Sequence, residues 1–380
     1  MKLLKDVLVL DFSQFLSGPS ASLRLADMGA RVIKIERPEI GDICRTLYVS
    51  DTEVDGESTI FHAINRNKES FVADLKTEKG LDKVRQLIAK ADVLIHNFRP
   101  GVMNRIGLSY EQVKTIKPGI IYGEICGYGH EGEWKDKPGQ DLLLQSVSGL
   151  VWLSGNRQDG PMPMGVAVAD ILSSTHLVQG ILAAYLSYFT TGEGALVQVS
   201  MLESLLDFQF EALTSYYNDG KQLPQRSEVN NAHAYIAAPY GIYRTLDGLL
   251  ALAMCKIDQL GSLLNCDNLL HFTDPKEWYN RRDEIKIILK NHLLLKTTKE
   301  WLEVLEPADV WCSEVFHYDE LIHHEGYKAI EMEQEVVLGD RKLKTTRCPI
   351  RVDGTILFSS VMAPKLGQHT AAIEEEFNLV

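Results

Sequence analysis

Short apolar runs alternate with amphipathic stretches along the first half of the chain. Residues 6–11 (DVLVLD) form a continuous run of buried-strand type, 19–29 read as a helix and 31–36 (RVIKIE) as a second strand, which makes a βαβ opening. A helix over 79–90, a strand over 92–96 (DVLIH), a helix over 110–116 and a strand over 119–124 (GIIYGE) repeat the rhythm. Parallel strands need a crossover, usually helical, so the alternation predicts a doubly wound α/β domain with a mainly parallel sheet and helices on both faces. Residues 140–153 read as a helix, 154–164 (SGNRQDGPMPM) as a loop, and 171–189 as a long buried helix that TTGEG ends. A strand over 195–199 and a helix over 201–216 follow.

Beyond these the pattern changes. The polar stretch 218–231 reads as a linker, with a boundary near 220. The runs YGIYRT and LLALAMC, joined across Asp247-Gly248, predict a hairpin, and helices over 256–265, 282–294 and 298–305 complete a smaller α+β unit. The tail, CPIRVDG and APKLGQHTAAIEEEF, suggests a strand, a loop and a terminal helix that match neither the linker nor the smaller unit. The expected organisation is a large domain over 1–200, a linker over 201–225, a small domain over 226–325, and a return over 326–380 that completes the large domain. No internal repeat or low-complexity segment interrupts it.

At 380 residues, with 45% hydrophobic and 24% charged side chains, the chain has the composition of a folded globular protein with an ample core. Its net charge of −13 argues against nucleic acid or anionic membranes as partners. Arg37, Arg99 and Arg105 can still form a local positive pocket, because close-range attraction depends on neighbours more than on the total. The six cysteines are scattered, without CxxC or zinc spacing, and read as reduced thiols. The opening MKLLKDVLVLDF lacks a signal-peptide pattern and no stretch has the length of a membrane helix, so a cytoplasmic location is the expectation.

Familiar cofactor signatures are mostly absent. GxxxxGK[ST], HExxH and GxSxG do not occur, and SQFLSGPSAS stands after the first strand where a dinucleotide-binding protein places GxGxxG. Glu36, at the end of the second strand, reads as an exposed acid rather than a ribose ligand. No metal site and no tightly bound cofactor are expected. The informative stretch is MGVAVAD (164–170), followed by the helix from Ile171, which puts the Asp170 carboxylate at a helix N-terminus among small residues. Backbone N–H groups and the helix dipole would stabilise its ionised form, while Gly165, Ala167 and Ala169 allow close approach of a substrate. Such a carboxylate is either a plain N-cap or a nucleophile towards an activated acyl group.

Ordered blocks along nearly the whole chain resolve that choice. VLVLDFSQFLSGPSAS, GARVIKIERPEIGD, NRNKESFVADLK, ADVLIHNFRPGVMNRIGLSYE, GYGHEGEWKDKPGQDLLLQSVSG, GVAVAD, TTGEGALVQVSMLES, PYGIYRTLDG and PKLGQHT resemble the class III CoA-transferases, a family that includes formyl-CoA:oxalate and carnitine CoA-transferases and α-methylacyl-CoA racemases. The resemblance implies that Asp170 is the nucleophile. It also implies coenzyme A or acyl-CoA as a substrate, held near the backbone of Phe15, by Arg37, by Ala73 to Lys76, by Asn97 and Phe98, by Arg105, and by Lys135 or Lys137. Arginine suits the phosphates of CoA through charge-assisted, often bidentate bonds. A Rossmann-like large domain built from both termini and an interlocked homodimer are further implications.

The departures from the family pattern bear on the reaction. Racemases of the family carry a histidine in the block that reads PGQD here, and an amide such as Gln140 cannot serve as a general base. His130 lies ten residues earlier and reads as a surface residue. Leu16 and Gln140 stand where the oxalate enzyme has glutamine and tyrosine, and NNAHAYIAAPYG, with His233 and Tyr235 as substrate-facing candidates, replaces its glycine run. The expectation is therefore CoA transfer from an acyl-CoA to a small carboxylic acid through aspartyl anhydride and aspartyl-CoA intermediates on Asp170. An acyl-CoA racemase or isomerase and a non-catalytic CoA-binding protein are the alternatives.

Overall fold

A computed structural model describes residues 2–47, 52–54 and 56–380. The chain divides into two compact units, one of Met1–Leu144, Ala167–Leu205 and Ala329–Val380, the other of Gln145–Val166 and Leu206–Lys328.

In the first unit the apolar runs become β1 (Leu8–Asp11), β2 (Arg31–Glu36), β3 (Glu69–Val72), β4 (Val93–His96), β5 (Ile121–Cys126) and β6 (Ala195–Ser200). They form one six-stranded sheet in the order β3-β2-β1-β4-β5-β6. All neighbours are parallel. Helices α1 (Ser17–Asp27), α2 (Glu78–Ile88), α3 (Tyr110–Ile116), α4 (Asp141–Val147) and α5 (Val168–Thr191) lie between the strands in sequence. Leu10, Ile33, Phe71, Leu94 and Tyr122 from the strands pack with Val84, Leu87 and Val113 from α2 and α3 in a single core. Two glycines bring α5 close to the sheet: a Cβ on Gly180 would lie 2.5 Å from Val197, and one on Gly123 about 3 Å from Leu177 and Ile181. α5 ends at Gly192, whose φ of +70° suits a residue without a Cβ.

The C-terminal segment returns to this unit. Ile373, in α11 (Thr370–Glu376) at the chain's end, joins the same core. β3 is an edge strand, and its Ser70 and Val72 N–H groups donate to His369 Nδ1 at 3.2 Å and Thr370 Oγ1 at 3.0 Å, which covers an edge otherwise open to pairing.

The second unit has its own core around Tyr243, Leu250, Phe272, Leu289 and Trp301. β7 (Gly241–Arg244) and β8 (Leu249–Leu252) pair antiparallel across the Asp247-Gly248 turn, as the dipeptide predicts, and β9 (Cys312–Glu314) flanks β8. Helices α8 (Ile257–Leu264), α9 (Arg282–His292) and α10 (Thr298–Leu305) surround the sheet. Residues 145–166 group with this unit although they lie inside the 1–200 span. Their loop carbonyls explain it: Arg226 donates to Ser154 O at 2.6 Å, Asp159 O at 2.6 Å and Gly160 O at 3.1 Å.

Three local expectations are corrected. The helix over 201–216 is two helices, α6 (Met201–Phe208) and α7 (Phe210–Asn218), because Gln209 leaves the helical ψ range at φ −94°, ψ 14°. The strand at CPIRVDG shrinks to Arg351–Val352, and a hairpin of β10 (Glu333–Leu338) with β11 (Arg341–Thr346) precedes it, with Glu333–Lys344 and Glu335–Lys342 ion pairs across the strands. Glu36 is not exposed. It is 2% accessible and meets Arg45 through Oε1 at 2.9 Å and Oε2 at 2.7 Å, while Ser70 Oγ donates to it at 2.6 Å. Arg45 lies 4.0 Å over the Phe61 ring and donates to Pro364 O, so this buried pair ties the returning C-terminal segment to the sheet.

Removing one partner of such a pair strands the other charge. Arg45→Met is expected to lower the urea unfolding free energy by about 3–5 kcal/mol, and the double variant with Glu36→Gln to recover part of it. A loss below about 1 kcal/mol would show that the pair is not structural.

Candidate active site

A crossover helix between parallel strands runs antiparallel to them and so begins at their carboxyl ends. Where the strand order reverses, here between β1 and β4, successive crossovers diverge and leave a crevice at that edge. Phe15 follows β1, Arg37 follows β2, Ala73 to Lys76 follow β3, Asn97 and Phe98 follow β4, and Lys135 and Lys137 lie in the segment after β5. Arg105 ends a short helix, Val102–Arg105, shortly after β4. The topology thus gathers the residues that the family resemblance assigns to CoA along one edge of the sheet.

The loop after β1 is tightly held. Asn97 accepts from Gln14 N at 2.8 Å and donates to Gln14 O at 2.7 Å and to Ser17 Oγ at 3.1 Å. Asp42 accepts from Phe15 N at 3.1 Å, and Phe15 takes φ +63°. Lys34, wholly buried in the middle of β2, donates to Ser13 O at 2.7 Å and pairs with Asp42 at 2.8 Å. Asp11, at the end of β1, accepts from Ser13 N at 2.9 Å, from the Ser13 hydroxyl, from Ser22 Oγ at 2.5 Å and from Lys68 at 3.0 Å. Burial alone would raise the Asp11 carboxyl, but Lys68, Lys34 and the two serines hold it well below the usual carboxylate range. Burial also pulls Lys68 down to about 8 despite its contact with Asp11. Gly18 permits the closest approach: a Cβ there would lie 2.2 Å from Ser13 Cβ.

Asp170 does not cap its helix. α5 begins at Val168 rather than Ile171, which puts Asp170 in the first turn, and the cap residue Ala167 supplies no side-chain bond. Asp141 takes the capping role from α4, accepting from Ala169 N at 2.6 Å. The expected stabilisation of the ionised form is overturned as well. Burial, and then the neighbouring charge of Asp141, push the Asp170 carboxyl up to about 6, although Ser17 opposes them by facing it with its hydroxyl and its backbone N–H. A like charge and lost hydration outweigh the first-turn amides because one of those amides already serves Asp141. Ser17 reaches Asp170 because α1 packs along α5.

The other candidates differ in exposure and in partners. Arg37, Lys76, Arg105, Lys135, Lys137 and Gln140 are exposed, whereas Ala73 is buried and donates from its N–H to Glu36 O at 2.9 Å. Arg37 Nε donates to Gly41 O at 3.1 Å, and Lys137 lies 5.7 Å from the Trp134 ring centroid. Phe98 stacks on His96 at 6.0 Å. Leu16 packs against an apolar cluster of Cys44, Phe61, Ile64 and Ala363. His130, half-exposed, pairs with Glu124 at 2.8 Å. In the second unit, His233 Nδ1 accepts from Tyr235 N at 3.1 Å, a turn-capping bond, and the Tyr235 hydroxyl is buried without a partner among the described residues. No group of three or more His, Cys, Asp or Glu among the described residues is placed to hold a metal ion. Sequence reasoning missed Ser17, Asp141, Lys34 and Lys68. A lysine inside the apolar run RVIKIE and an acid next to Gln140 in PGQD were the available signals.

Comparison with known proteins identifies the family. The model of the family described as CoA-transferase family III matches residues 4–370. Human succinyl-CoA:glutarate CoA-transferase is 31% identical over 391 residues, covering 99% of this chain and 86% of that protein. Acetyl-CoA:oxalate CoA-transferase of Acetobacter aceti is 33% identical over 384 residues, covering 98% and 95%. The crystal structure of a CaiB/BaiF family protein from Brucella suis superposes with a TM-score of 0.85 at 30% identity, over 98% of this chain and 99% of that one. With the family matched from Leu4 to Thr370, a parallel sheet with a switch-point crevice and a desolvated carboxylate at its edge, the chain belongs to CoA-transferase family III and is a CoA-transferase.

Proposed function

We propose that the chain moves CoA from an acyl-CoA donor to a carboxylic acid acceptor with Asp170 as covalent carrier. The observation that carries this reading is the Asp170 carboxyl itself, part-buried, raised to about 6 and faced by Ser17. At neutral pH such a group is mostly ionised yet poorly hydrated, which favours attack on a thioester. Its basicity remains close to that of the acids it exchanges, so neither direction of exchange is strongly uphill.

An Asp170 oxygen adds to the thioester carbonyl carbon, the C–S bond breaks, and CoA leaves as its thiolate from a mixed anhydride. The thiolate then adds to the Asp170 carbonyl carbon and expels the donor carboxylate, leaving an aspartyl-CoA thioester. The acceptor carboxylate repeats these two steps in reverse, and Asp170 returns as a carboxylate. No net proton is transferred, and each intermediate keeps the acyl group activated.

In this reading Arg37, Lys76, Arg105 and Lys135 or Lys137 meet the phosphates of CoA, and the Phe15 backbone, Ala73, Asn97 and Phe98 line its path. Leu16, Gln140, His233 and Tyr235 face the acid. The similar proteins named for succinyl-CoA with glutarate and acetyl-CoA with oxalate make a short dicarboxylic acid the first acceptor to test. We read the protein as an interlocked homodimer of the cytoplasm, with no nucleic-acid or membrane partner. Exposed apolar side chains such as Leu186 at 71% and Phe189 at 68% support a partner surface, and among the described residues no helix is long and apolar enough to cross a membrane.

Asp170→Ala is expected to lower turnover at least ~10³-fold while acyl-CoA binding by titration calorimetry stays within a few-fold. Near-normal turnover in that variant would sink the assignment. The rate should fall as pH drops through about 6, since only the ionised carboxylate attacks. Asp141→Asn keeps an oxygen acceptor for Ala169 N–H but removes the like charge, so the acidic limb should move to lower pH; a limb that does not move would assign it to another group. Because the folded protein holds a proton on Asp170 more tightly than the unfolded chain, stability is lost as pH rises from the ordinary carboxyl range through about 6. Asp170→Asn avoids that loss. It should be more stable than wild type by about 1–2 kcal/mol at pH 7.5, with the gap closing near pH 4, in matched urea titrations.

A further inference from the structure

We propose that Ser17 is a further catalytic residue, whose hydroxyl and backbone N–H hold the Asp170 carboxyl and stabilise the oxyanion that forms on it during exchange. The inference deepens the reading of Asp170 as carrier and rests on it.

Ser17 is the first residue of the eleven-residue helix α1 and is 3% exposed. The first N–H groups of a helix have no partner within it, and the cap residue Leu16 offers no side-chain acceptor to take them. The Ser17 hydroxyl accepts from Asn97 Nδ2 at 3.1 Å, which leaves its own proton to donate. The carboxyl it faces is Asp170, on the helix α5 against which α1 packs. Asp141 is the other charged group acting on that carboxyl.

Both donors are fixed before any substrate arrives. Asn97 holds Gln14 from both sides, Lys34 holds Ser13 O, and Asp42 holds Phe15 N. Gly18 lets the helix start lie directly on Ser13. Donors locked in this way need no reorganisation as charge develops, the condition under which they stabilise a transition state most.

The step served is addition of the CoA thiolate to the Asp170 carbonyl carbon of the mixed anhydride. A C–S bond forms, the carbonyl π pair moves on to oxygen, and the resulting oxyanion collapses as the C–O bond to the donor carboxylate breaks. Ser17 donates hydrogen bonds throughout and gives up no proton. The same donors act when the acceptor acid adds to the aspartyl-CoA carbonyl.

Ser17→Ala deletes the hydroxyl and keeps the N–H. With a succinyl-CoA and glutarate assay, kcat should fall about 10- to 100-fold while KM for the thioester stays within about threefold. The acidic limb should move above about 6, because a donor that favours the ionised carboxyl is gone. A merely structural serine would change the unfolding midpoint but not that limb. Ser17→Cys, similar in volume and a weaker donor, should fall between the two and provides a second variant if alanine does not fold. A kcat within about twofold of wild type in both variants, alongside an inactive Asp170→Ala, overturns the role of Ser17 and leaves the carrier reading intact. Turnover that survives Asp170→Ala removes both.

Discussion

A buried ammonium in an otherwise apolar strand anchors the site. Lys34 spends its charge on Asp42 and a hydrogen bond on the Ser13 carbonyl, and these bonds hold the loop between β1 and α1 in its path. Burying a lysine is unfavourable unless it is paired, so Asp42, Asp11 and Glu36 must stand around it, and together they raise its pKa against the pull of burial. The position of Ser17 follows from that path, and the environment of Asp170 follows from the position of Ser17.

The carboxylates at this edge are treated in opposite ways. Asp11 is surrounded by two lysines and two serines and stays ionised at any ordinary pH. Among the described residues no basic neighbour acts on Asp170, only Asp141 and the donors of Ser17, and its carboxyl is raised to about 6. Groups of one chemical type whose surroundings drive their pKa values apart are the usual mark of divided labour, and here Asp11 holds the loop while Asp170 stays free of basic partners among the described residues. A carboxylate kept in a costly ionised state is tolerated because the sheet and its core supply stability elsewhere.

Much of this was legible in the residues. The βαβ rhythm reads directly from the alternation of apolar runs and amphipathic stretches, since buried parallel strands must be apolar along their length, and β2 and α3 match their expected bounds. The hairpin at Asp247-Gly248 was legible for a similar reason, because turn chemistry acts within a few residues. Less legible were the break at Gln209 and the hairpin at Glu333–Thr346, whose polar, charge-paired strands carry no strong apolar period.

By itself, the sequence determines that the chain builds a parallel α/β sheet, that Asp170 lies near the start of a helix among small residues, and, through its ordered blocks, that the family is one of CoA-transferases. Tertiary structure alone decides that β1 and β4 are neighbours, which brings Asn97 to Gln14 across 83 positions in the chain, and that 145–166 join the second unit. It also decides that Asp141, not Asp170, caps α5, and that the pKa of Asp170 rises rather than falls. Local pattern records only what near neighbours require, whereas hydration and Coulomb interaction depend on which distant side chains share a few ångströms of space.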